Sequence, residues 1–589
     1  MPQRGAGSGL GRRGRSRRIG TAKLVIAAVI ISAVCMGALT AKAVISKASC
    51  SDSGIVLNIA ASTDITPAIQ SVARSFNAQS VSENGHCIQV EVTGADSSAE
   101  AAQIDGQATT PGLPAVDVWI PDSSLWVDVA RSYPVGAGAI QTVSQSVARS
   151  PLLLVTTPEV AAKTHIFDSP PTWSVLLPPS YGGPPASLGL SVDLPDPSDS
   201  SSGLATIIEV SRLLGTGTAA RTAFTKFEFN SETTENFDSA AGLQVFVAST
   251  EPPFDRQAVT VASEQAILAY DAANKKAPLD ARYPTGASAS LGTPELDYPY
   301  VVTTSKSLVK RAADKFDSYL QTTAARSTIR YYGFRDPGNV PDTMPGAAGL
   351  SSQPLQLAST ATATETAANL QVWEKLGLGS RDLTLIDVSP AMASPDGIGT
   401  QTIEQTLTQA AARGLALFPD STHMGLWEIG NSTSLSKPYN QLVSIGALPA
   451  DYGVISRRAQ LQQIIATLKP GNGTLALNDA LLAAYQEMTS TYAPNYANAV
   501  LVLTAGVDTA RGDMSLTDLL AKLKALYNPS KKVEFVILMF GKAGNFTAMQ
   551  KIADATGGVA YQISNPAQIG QVFIEAIAHR MCDQGCAAP

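Results

Sequence analysis

The sequence has 589 residues, of which 44% are hydrophobic and 15% are charged, a balance typical of folded domains rather than of disordered chains. This length predicts two large domains, each able to bury a core of its own. Residues 1–23 carry a charge of +7 and no acid; because the net charge is −7, residues 24–589 carry −14. This acidic portion lacks the clustered Lys and Arg that nucleic-acid binding requires, so we expect no nucleic-acid partner.

An apolar segment follows the basic N-terminal tail. Residues 24–45 contain one charged residue, Lys42, and are just long enough to span a bilayer while Lys42 reaches the interface. The basic flank predicts a cytoplasmic N-terminus and an extracytoplasmic remainder, as in a single-pass protein of the cell membrane. The alternative is a cleaved signal peptide, because "AKA" at 41–43 is similar to a cleavage site.

The cysteines agree with export from the cytoplasm. Four of the five lie after the apolar segment, at Cys50, Cys87, Cys582 and Cys586, an even number in an oxidising compartment. Of the three possible pairings we favour Cys50–Cys87 with Cys582–Cys586, since each joins neighbours in sequence. A zinc site is disfavoured, because the ligand spacing is wrong and the chain has only four His.

Strands and helices alternate over residues 50–335, which predicts an α/β domain with mostly parallel sheets. The predicted strands are "IVLNIAAS", "CIQVEVTG", "AVDVWIP", "PLLLVTTP", "PASLGLSVDLP" and "DYPYVVTTS". The predicted helices include "TPAIQSVARSFNAQ" and segments near 98–105, 202–214, 263–274 and 306–333.

Residues 336–379 are rich in Pro, Gly, Ser, Thr and Ala, a composition that predicts an interdomain linker. A second alternation occupies residues 380–580, and residues 581–589 form a short tail with the last cysteine pair. The strands of this second block are "DLTLIDV", "HMGLWEI", "NAVLVLTAG", "KKVEFVILMF" and "GGVAYQI". They predict a doubly wound, Rossmann-like sheet of ordinary domain size.

Three segments of this second block carry a specific resemblance. The stretch "DVSPA" at 387–391 ends the first strand, "GNGTLALNDAL" at 471–481 is a Gly-rich loop opening a helix, and "LVLTAGVDT" at 501–509 ends a later strand. In this order and spacing they resemble a von Willebrand factor A (VWA) domain covering about residues 380–580. The resemblance implies a divalent-cation site at the C-terminal ends of the strands, with an open position for an acidic residue of a partner.

The cation site that the resemblance implies is incomplete in this sequence. Asp387, Ser389 and Thr474 match the ligands of the family, but Ala391 replaces the second serine and Ala505 replaces the aspartate. Mg²⁺ demands near-ideal octahedral coordination, so the loss of a carboxylate and a hydroxyl predicts either no cofactor or weakly bound Mg²⁺ or Mn²⁺. The alternative is that the three matching residues have only structural roles, capping helices and stabilising loops.

Two further features lie beside this site. Asp508 is a nearby carboxylate, but its side chain is expected to point elsewhere. The tripeptide at Arg511–Asp513 spells "RGD", which in an adhesion-type domain suggests an integrin ligand. A single three-residue match is weak, and we interpret it as a solvated turn before a helix, with Asp513 or Ser515 as the cap.

The first block resembles the bacterial extracellular solute-binding proteins of the type 2 periplasmic-binding fold, in the version fused to a VWA domain in actinobacteria. The segments that carry the resemblance are "LNIAASTDITPAIQSVARSFN", "VDVWIPDSSLWVDVA", "LSVDLPDPSDSSSGLATI", "SEQAILAYDAAN" and "LDYPYVV". The resemblance implies two lobes that close on a solute like a hinge.

Hydroxyl side chains stand where such a cleft takes its ligand contacts, between a strand and the helix that follows. The candidates are Ser62, Thr63, Ser123, Ser124, Ser200, Ser201 and Ser202. Asp122, Asp196 and Asp199 nearby disfavour a bare oxyanion and favour a polar or cationic solute. The alternative is ordinary helix capping, which needs no ligand.

No catalytic motif is present, and His86, His165, His423 and His579 are scattered along the chain, so we expect a protein that is not an enzyme. The sequence therefore predicts a membrane-anchored, extracytoplasmic binding protein that recognises a ligand or a protein of the envelope or membrane. The alternative is a receptor that delivers a small polar solute to an ABC-type transporter.

Overall fold

The computed structural model describes residues 54–108, 116–234, 239–285, 292–342, 349–397, 400–431, 437–453 and 455–581. The predicted membrane segment at 24–45, the basic tail at 1–23, Cys50, Cys582 and Cys586 lie outside the described residues. Within these ranges, no helix combines the length and hydropathy needed to cross a membrane.

Twelve strands of the described chain precede residue 303 and form two separate sheets. The strands are β1 (Ile55–Ser62), β2 (Ser82–Glu83), β3 (His86–Ala95), β4 (Val118–Ile120), β5 (Thr142–Ser146), β6 (Ser150–Thr156), β7 (Leu190–Pro195), β8 (Ser231–Thr234), β9 (Gln257–Ser263), β10 (Asp280–Arg282), β11 (Glu295–Leu296) and β12 (Pro299–Val302). The first sheet has the order β2-β3-β1-β4-β12-β5, and the second has the order β10-β6-β9-β7-β8 with β11 paired to β6. Each sheet is the centre of one lobe.

Helices pack on both sheets and connect their strands. They are α1 (Thr66–Asn77), α2 (Ser97–Ile104), α3 (Ser124–Arg131), α4 (Pro134–Ala139), α5 (Pro158–Thr164), α6 (Ser201–Leu214), α7 (Thr218–Asn230), α8 (Ala240–Thr250), α9 (Glu264–Ala273), α10 (Ser307–Leu320) and α11 (Thr323–Tyr331). The parallel pairing of β1 with β3 and β4 places the C-terminal ends of these strands at one edge, facing the second lobe. The predicted α/β class with a periplasmic-binding-like fold is confirmed for this part of the chain.

Cys87 lies at the start of the first sheet. A Cβ atom on Gly54 would stand 3.2 Å from the Cys87 carbonyl oxygen, so the first described residue and Cys87 are neighbours. The pairing of Cys87 with Cys50 stays a prediction, because Cys50 lies outside the described residues.

The C-terminal domain has one six-stranded sheet with helices on both faces. Its strands are β13 (Ser380–Asp387), β14 (His423–Ile429), β15 (Tyr439–Ala447), β18 (Ala497–Thr504), β19 (Val533–Phe540) and β20 (Val559–Ile563), and a separate hairpin joins β16 (Asp451–Tyr452) to β17 (Ile455–Ser456). The order is β15-β14-β13-β18-β19-β20, and only the edge strand β15 runs antiparallel. This arrangement confirms the predicted doubly wound sheet.

The helices of this domain divide between the two faces of the sheet. They are α13 (Ile403–Leu417), α14 (Arg457–Thr467), α15 (Leu477–Ser490), α16 (Leu516–Leu526), α17 (Phe546–Asp554) and α18 (Ile569–Ala578). One face is covered by α15, α16 and α17, and the other by α13, α14 and α18. The strand β13 is buried along its whole length because both of its faces are covered, as expected for a central parallel strand.

The segment predicted as a linker contains a helix, α12 (Ala363–Gly377), which lies on the first domain. A capping box formed by Thr362 and Glu365 starts it. The helix packs against α3 of one lobe and against α6 of the other. Its Trp373 is buried in an apolar cluster that continues through both lobes, and the ring lies 6.2 Å from that of Phe227.

Ion pairs reinforce this contact. The Arg212 guanidinium on α6 donates to Glu365 on α12 at 2.7 Å and to Glu209 on its own helix at 2.6 Å. It also donates to the Ser359 carbonyl oxygen at 3.0 Å. The linker and α12 are therefore fastened to the second lobe by polar contacts and to both lobes by apolar packing.

A cluster of buried and half-buried charges lies where the two domains meet. Arg580, beyond α18, donates to the Leu378 carbonyl oxygen at 3.2 Å and to the Ser380 hydroxyl. Burial raises the pKa of Glu228 on α7 to about 7, and burial likewise raises the pKa of Asp382 on β13 to about 7. The positive charge of Arg580 opposes both shifts without cancelling them. Both carboxyl groups are therefore more easily protonated in the folded protein than in the unfolded chain.

This cluster predicts that the free energy of unfolding falls as pH rises. The pKa of Glu228 is 4.5 in an ordinary setting and about 7 in the fold, so the folded protein holds the extra proton between these values. The stabilisation is complete below about pH 4.5 and is lost as pH rises through about 7. Urea denaturation at pH 5, 6, 7 and 8 measures this slope.

The variant Glu228→Gln should have a shallower slope than the wild type, because it removes one of the two titrating groups. The control is Glu159→Gln, at an exposed position on α5, which should leave the slope unchanged. Equal slopes in the wild type and Glu228→Gln would contradict this assignment.

Candidate functional site

The first candidate site lies between the two lobes, where β1 ends. The Ser62 hydroxyl donates a hydrogen bond to one carboxylate oxygen of Asp64, and the Tyr298 hydroxyl donates to the other. Burial raises the pKa of Asp64, although these hydrogen bonds oppose the shift. The Ser62 hydroxyl is therefore engaged within the protein, while Thr63 beside it is exposed.

The hydroxyls after β4 serve the helix that follows. Ser123 accepts a hydrogen bond from the Leu125 backbone N–H at 3.2 Å and so caps α3. The backbone N–H of Ser124 donates to the carboxylate of Asp297 at 2.6 Å. A backbone hydrogen bond connects this region with the Tyr298–Asp64 contact, because the Tyr298 N–H donates to the Asp122 carbonyl oxygen at 3.1 Å.

The third predicted group lies on the second lobe, at the start of α6. Ser200 caps this helix by accepting from the Gly203 N–H at 3.2 Å. The Ser201 hydroxyl donates to the Asp122 carboxylate at 2.8 Å, and this bond joins the two lobes directly. The Ser202 hydroxyl is fully buried and has no hydrogen-bond partner among the described residues. Asp196 accepts from the Ser198 N–H at 2.9 Å, and Asp199 lies in the same turn.

Two of the predicted hydroxyls, Ser62 and Ser201, therefore bond to carboxylates of the protein between the lobes. Ser123 and Ser200 instead cap helices. A cavity of about 50 Å³ among these described residues is lined by Ser123 and Ser124 on one side and by α6 on the other. Residues 358–361 of the linker close it. This volume holds a few waters, whereas pockets for small molecules typically have about 300 Å³ or more.

Sequence reasoning placed Asp122 near the cleft but missed Asp64 and Asp297. Asp64 directly follows the predicted Thr63 and Asp297 begins a predicted strand, but neither position distinguishes a site carboxylate from an ordinary one. Glu295 also lines the cavity, and burial raises its pKa to about 7 against the charge of Arg149, with which it forms an ion pair. These carboxylates come from distant segments of the chain, and only the fold brings them together in one site.

The second candidate site lies at the C-terminal end of β13. Asp387 is buried, and its carboxylate accepts three hydrogen bonds from the protein: from the Ser389 N–H at 2.8 Å, the Thr504 hydroxyl at 2.7 Å and the Ala505 N–H at 3.1 Å. Burial raises the pKa of Asp387, and these donors oppose the shift. Gly430, with φ of +89°, approaches so closely that a Cβ atom there would lie 2.9 Å from the Asp387 carboxylate.

The remaining residues do not complete a cation site. The Ser389 hydroxyl is buried beside Asp387, and Thr474 is exposed on its loop. Position 505 supplies a backbone N–H to Asp387 where the family motif supplies a carboxylate. The carboxylate of Asp508 accepts from the Ala510 N–H at 3.1 Å, so it serves its own turn.

The donor set therefore does not fit Mg²⁺. A hard cation needs about six oxygen ligands, and this end of the sheet supplies one buried carboxylate with the Ser389 hydroxyl beside it, since positions 391 and 505 are alanines. Across the described ranges, no group of three or more His, Cys, Asp and Glu residues is placed to hold a metal ion.

The RGD tripeptide is part of the fold. The Asp513 carboxylate accepts from the backbone N–H groups of Asn478 and Asp479, both at 3.0 Å, and so caps the start of α15. Ser515 caps the following helix α16, as predicted for one of the two candidates. Asp513 therefore caps α15 and not α16, the helix that directly follows it in the sequence.

Comparison with known families agrees with the two folds. Residues 57–335 match the family described as "Bacterial extracellular solute-binding protein", and residues 383–575 match the "von Willebrand factor type A domain". Two relatives from Mycobacterium tuberculosis, "Uncharacterized protein MT1884" (strain CDC 1551 / Oshkosh) and "Uncharacterized protein Rv1836c" (strain ATCC 25618 / H37Rv), are each 25% identical over 562 residues. That match covers 87% of this chain and 75% of each relative.

Solved structures with partial similarity include the "Periplasmic thiamin binding protein", 15% identical with a TM-score of 0.38, covering 55% of this chain and 95% of that one. The sulfate-binding protein SubI from Mycobacterium tuberculosis H37Rv is 20% identical with a TM-score of 0.34, covering 48% and 87%. The von Willebrand factor type A protein from Catenulispora acidiphila is 20% identical with a TM-score of 0.27, covering 35% and 43%.

The geometry at Asp387 predicts how the full chain responds to cations. The thermal unfolding midpoint should be the same in EDTA and in millimolar Mg²⁺ or Mn²⁺, because a cation that bound only the folded form would raise it. The double variant Ala391→Ser/Ala505→Asp restores the two missing ligands. Its midpoint should be lower in EDTA, since it buries a second carboxylate beside Asp387, and should rise by several degrees with Mg²⁺.

The control adds Asp387→Ala to the double variant and should abolish this rise. A cation-dependent rise in the wild-type chain that disappears in Asp387→Ala would show instead that the natural site still binds metal.

Proposed function

Because the chain carries an extracellular solute-binding domain followed by a VWA domain, we propose that it is a non-catalytic, extracytoplasmic binding protein held at the cell membrane. In this proposal residues 24–45 anchor it, and the VWA domain recognises a protein of the envelope or membrane. Recognition takes place through surface contacts and without a metal bridge. The solute-binding domain serves as a fixed body that carries the VWA domain.

The observation that carries this proposal is the position of α12. A solute receptor of the hinge type must separate its lobes to admit and release its ligand. Here one helix packs against both lobes, Arg212 and Glu365 fasten it, and Ser201 bonds across the cleft to Asp122. Opening would break all of these contacts together, so the arrangement favours a body that keeps one shape.

The surface at the C-terminal ends of the VWA strands supports recognition of a partner. Exposed polar side chains surround the buried Asp387 there, and the structure uses none of them to complete a cation shell. They are Asn431, Asn472, Thr474, Arg511 and Lys542. Loops held by a rigid sheet are the usual place for binding residues, and this mixed set suits a polar protein surface.

The second candidate function is delivery of a small polar solute to a transporter. It is favoured by the family of the first domain and by the Ser202 hydroxyl, which is buried without a partner at the start of α6. In that case the structure represents a closed state, and the linker would have to leave the cleft before solute enters.

Site-specific photo-crosslinking in cells tests the proposed recognition surface. A photoreactive residue at position 472 should give a covalent adduct of discrete mass with one envelope protein, and EDTA should not reduce its yield. The matched control is the same residue at the exposed position 162 on α5, on the other domain, which should give no such adduct.

Loss of the adduct in EDTA would contradict recognition without a metal bridge. Absence of an adduct, together with a rise in the unfolding midpoint on adding small polar solutes to the purified chain, would support the transport receptor instead.

A further inference from the structure

A second cavity lies inside the VWA domain, along one face of its sheet. Its volume is about 470 Å³, within the range of sites for small molecules. The floor is formed by β13, β18 and β19, and the roof by α13 and α18. The end of α12 and Arg580 lie at its rim.

The two faces of the sheet differ in how they are covered. On the face toward α15, Val500, Val502 and Phe535 are completely buried. On the cavity face, the neighbouring residues of the same central strands, Leu501 and Val536, are only half-buried. Apolar side chains in the middle of a doubly covered sheet are normally packed to high density. The partial exposure of Leu501 and Val536 therefore means that side chains do not fill the space on this face of the sheet.

Small residues on α13 explain the missing volume. Ala410, Ala411 and Gly414 face the sheet and fill little space. The helix nevertheless stays close to α18, because a Cβ atom on Gly414 would be in ordinary van der Waals contact, at 3.6 Å, with Ile569. The two roof helices thus approach each other closely at Gly414, while the small side chains of α13 leave space above the sheet.

One end of this apolar cavity is lined by two buried side chains that each carry one polar atom without a hydrogen-bond partner. Asp382 and Thr384 both line it from β13, with only 4% and 5% of their surface exposed. One carboxylate oxygen of Asp382 and the hydroxyl of Thr384 have no hydrogen-bond partner within the described residues. Leaving such a group unsatisfied is unfavourable, so two neighbouring ones indicate that a bound molecule supplies the missing bonds.

We propose that the VWA domain binds a neutral, lipid-like alcohol in this cavity. The alkyl body lies on Leu501, Val536 and Leu538, and the hydroxyl head donates to the Asp382 carboxylate and accepts from the Thr384 hydroxyl. The inference rests on the fold of the C-terminal domain and not on the proposed recognition of a partner protein.

The charges around the head group favour a neutral ligand. A fatty acid would place its carboxylate against the carboxyl group of Asp382, which repels it once Asp382 is ionised, above about pH 7. An alkyl ammonium would pair with Asp382 but would approach Arg580, which lies near the same residue and donates to Ser380. A hydroxyl group is repelled by neither Asp382 nor Arg580. It supplies a donor for the unpaired carboxylate oxygen of Asp382 and an acceptor for the Thr384 hydroxyl.

Thermal unfolding of the full chain in lipid nanodiscs tests the proposal, with 1-decanol as the probe. We expect 1-decanol to raise the unfolding midpoint of the wild type. Ala499→Leu adds volume on the cavity floor and should abolish this rise. Thr384→Val removes one hydrogen bond at nearly constant volume and should weaken the apparent affinity about five- to tenfold.

Partition of the probe into the nanodisc lipid is common to all variants, so differences among them report the cavity. Thr384→Val should fold at least as well as the wild type, because it removes an unsatisfied hydroxyl. An equal midpoint rise in the wild type and in Ala499→Leu, or no rise in the wild type, would overturn the site. A larger rise with decanoate or decylamine than with 1-decanol would overturn the assignment of a neutral head group.

Discussion

The packing of α12 across both lobes of the first domain is the constraint on which the rest of the structure depends. Trp373 inserts into a core that both lobes share, and Arg212 holds Glu365 at the start of the same helix. A helix that belongs to neither lobe thereby fixes their relative position. Because α12 leads directly into β13, it also fixes where the VWA sheet begins.

The two sites at strand ends share one physical feature: polar groups typical of ligand binding are bonded to the protein instead. Between the lobes, Ser62 and Ser201 donate to Asp64 and Asp122. In the VWA domain, the backbone N–H of residue 505 donates to Asp387, where the family motif would place a second carboxylate. A buried carboxylate without a cation needs such donors, and these supply them.

Much of the fold could be predicted from the sequence, because apolar runs such as "DLTLIDV" and the helix periods between them are local signals. The hydroxyls near the cleft were also predictable, since Ser and Thr stand directly before helices. The helix α12 was not, because Ala, Thr and Glu in residues 363–377 are compatible with a linker until Trp373 finds its partners. The edge strand β15 was missed, since "YNQLVSIGA" carries no strong apolar run. Asp382 has meaning only through the cavity around it, which depends on contacts between distant segments.

The most direct test of a fixed two-lobed body is the distance between the lobes, measured with genetically encoded spin labels at positions 135 and 162, both exposed. The account predicts one narrow distance distribution that small polar solutes do not change, and a broader one in Trp373→Ala, where the shared core is lost. A broad or two-peaked distribution in the wild type, shifted toward one peak by solute, would contradict it and would identify a working hinge.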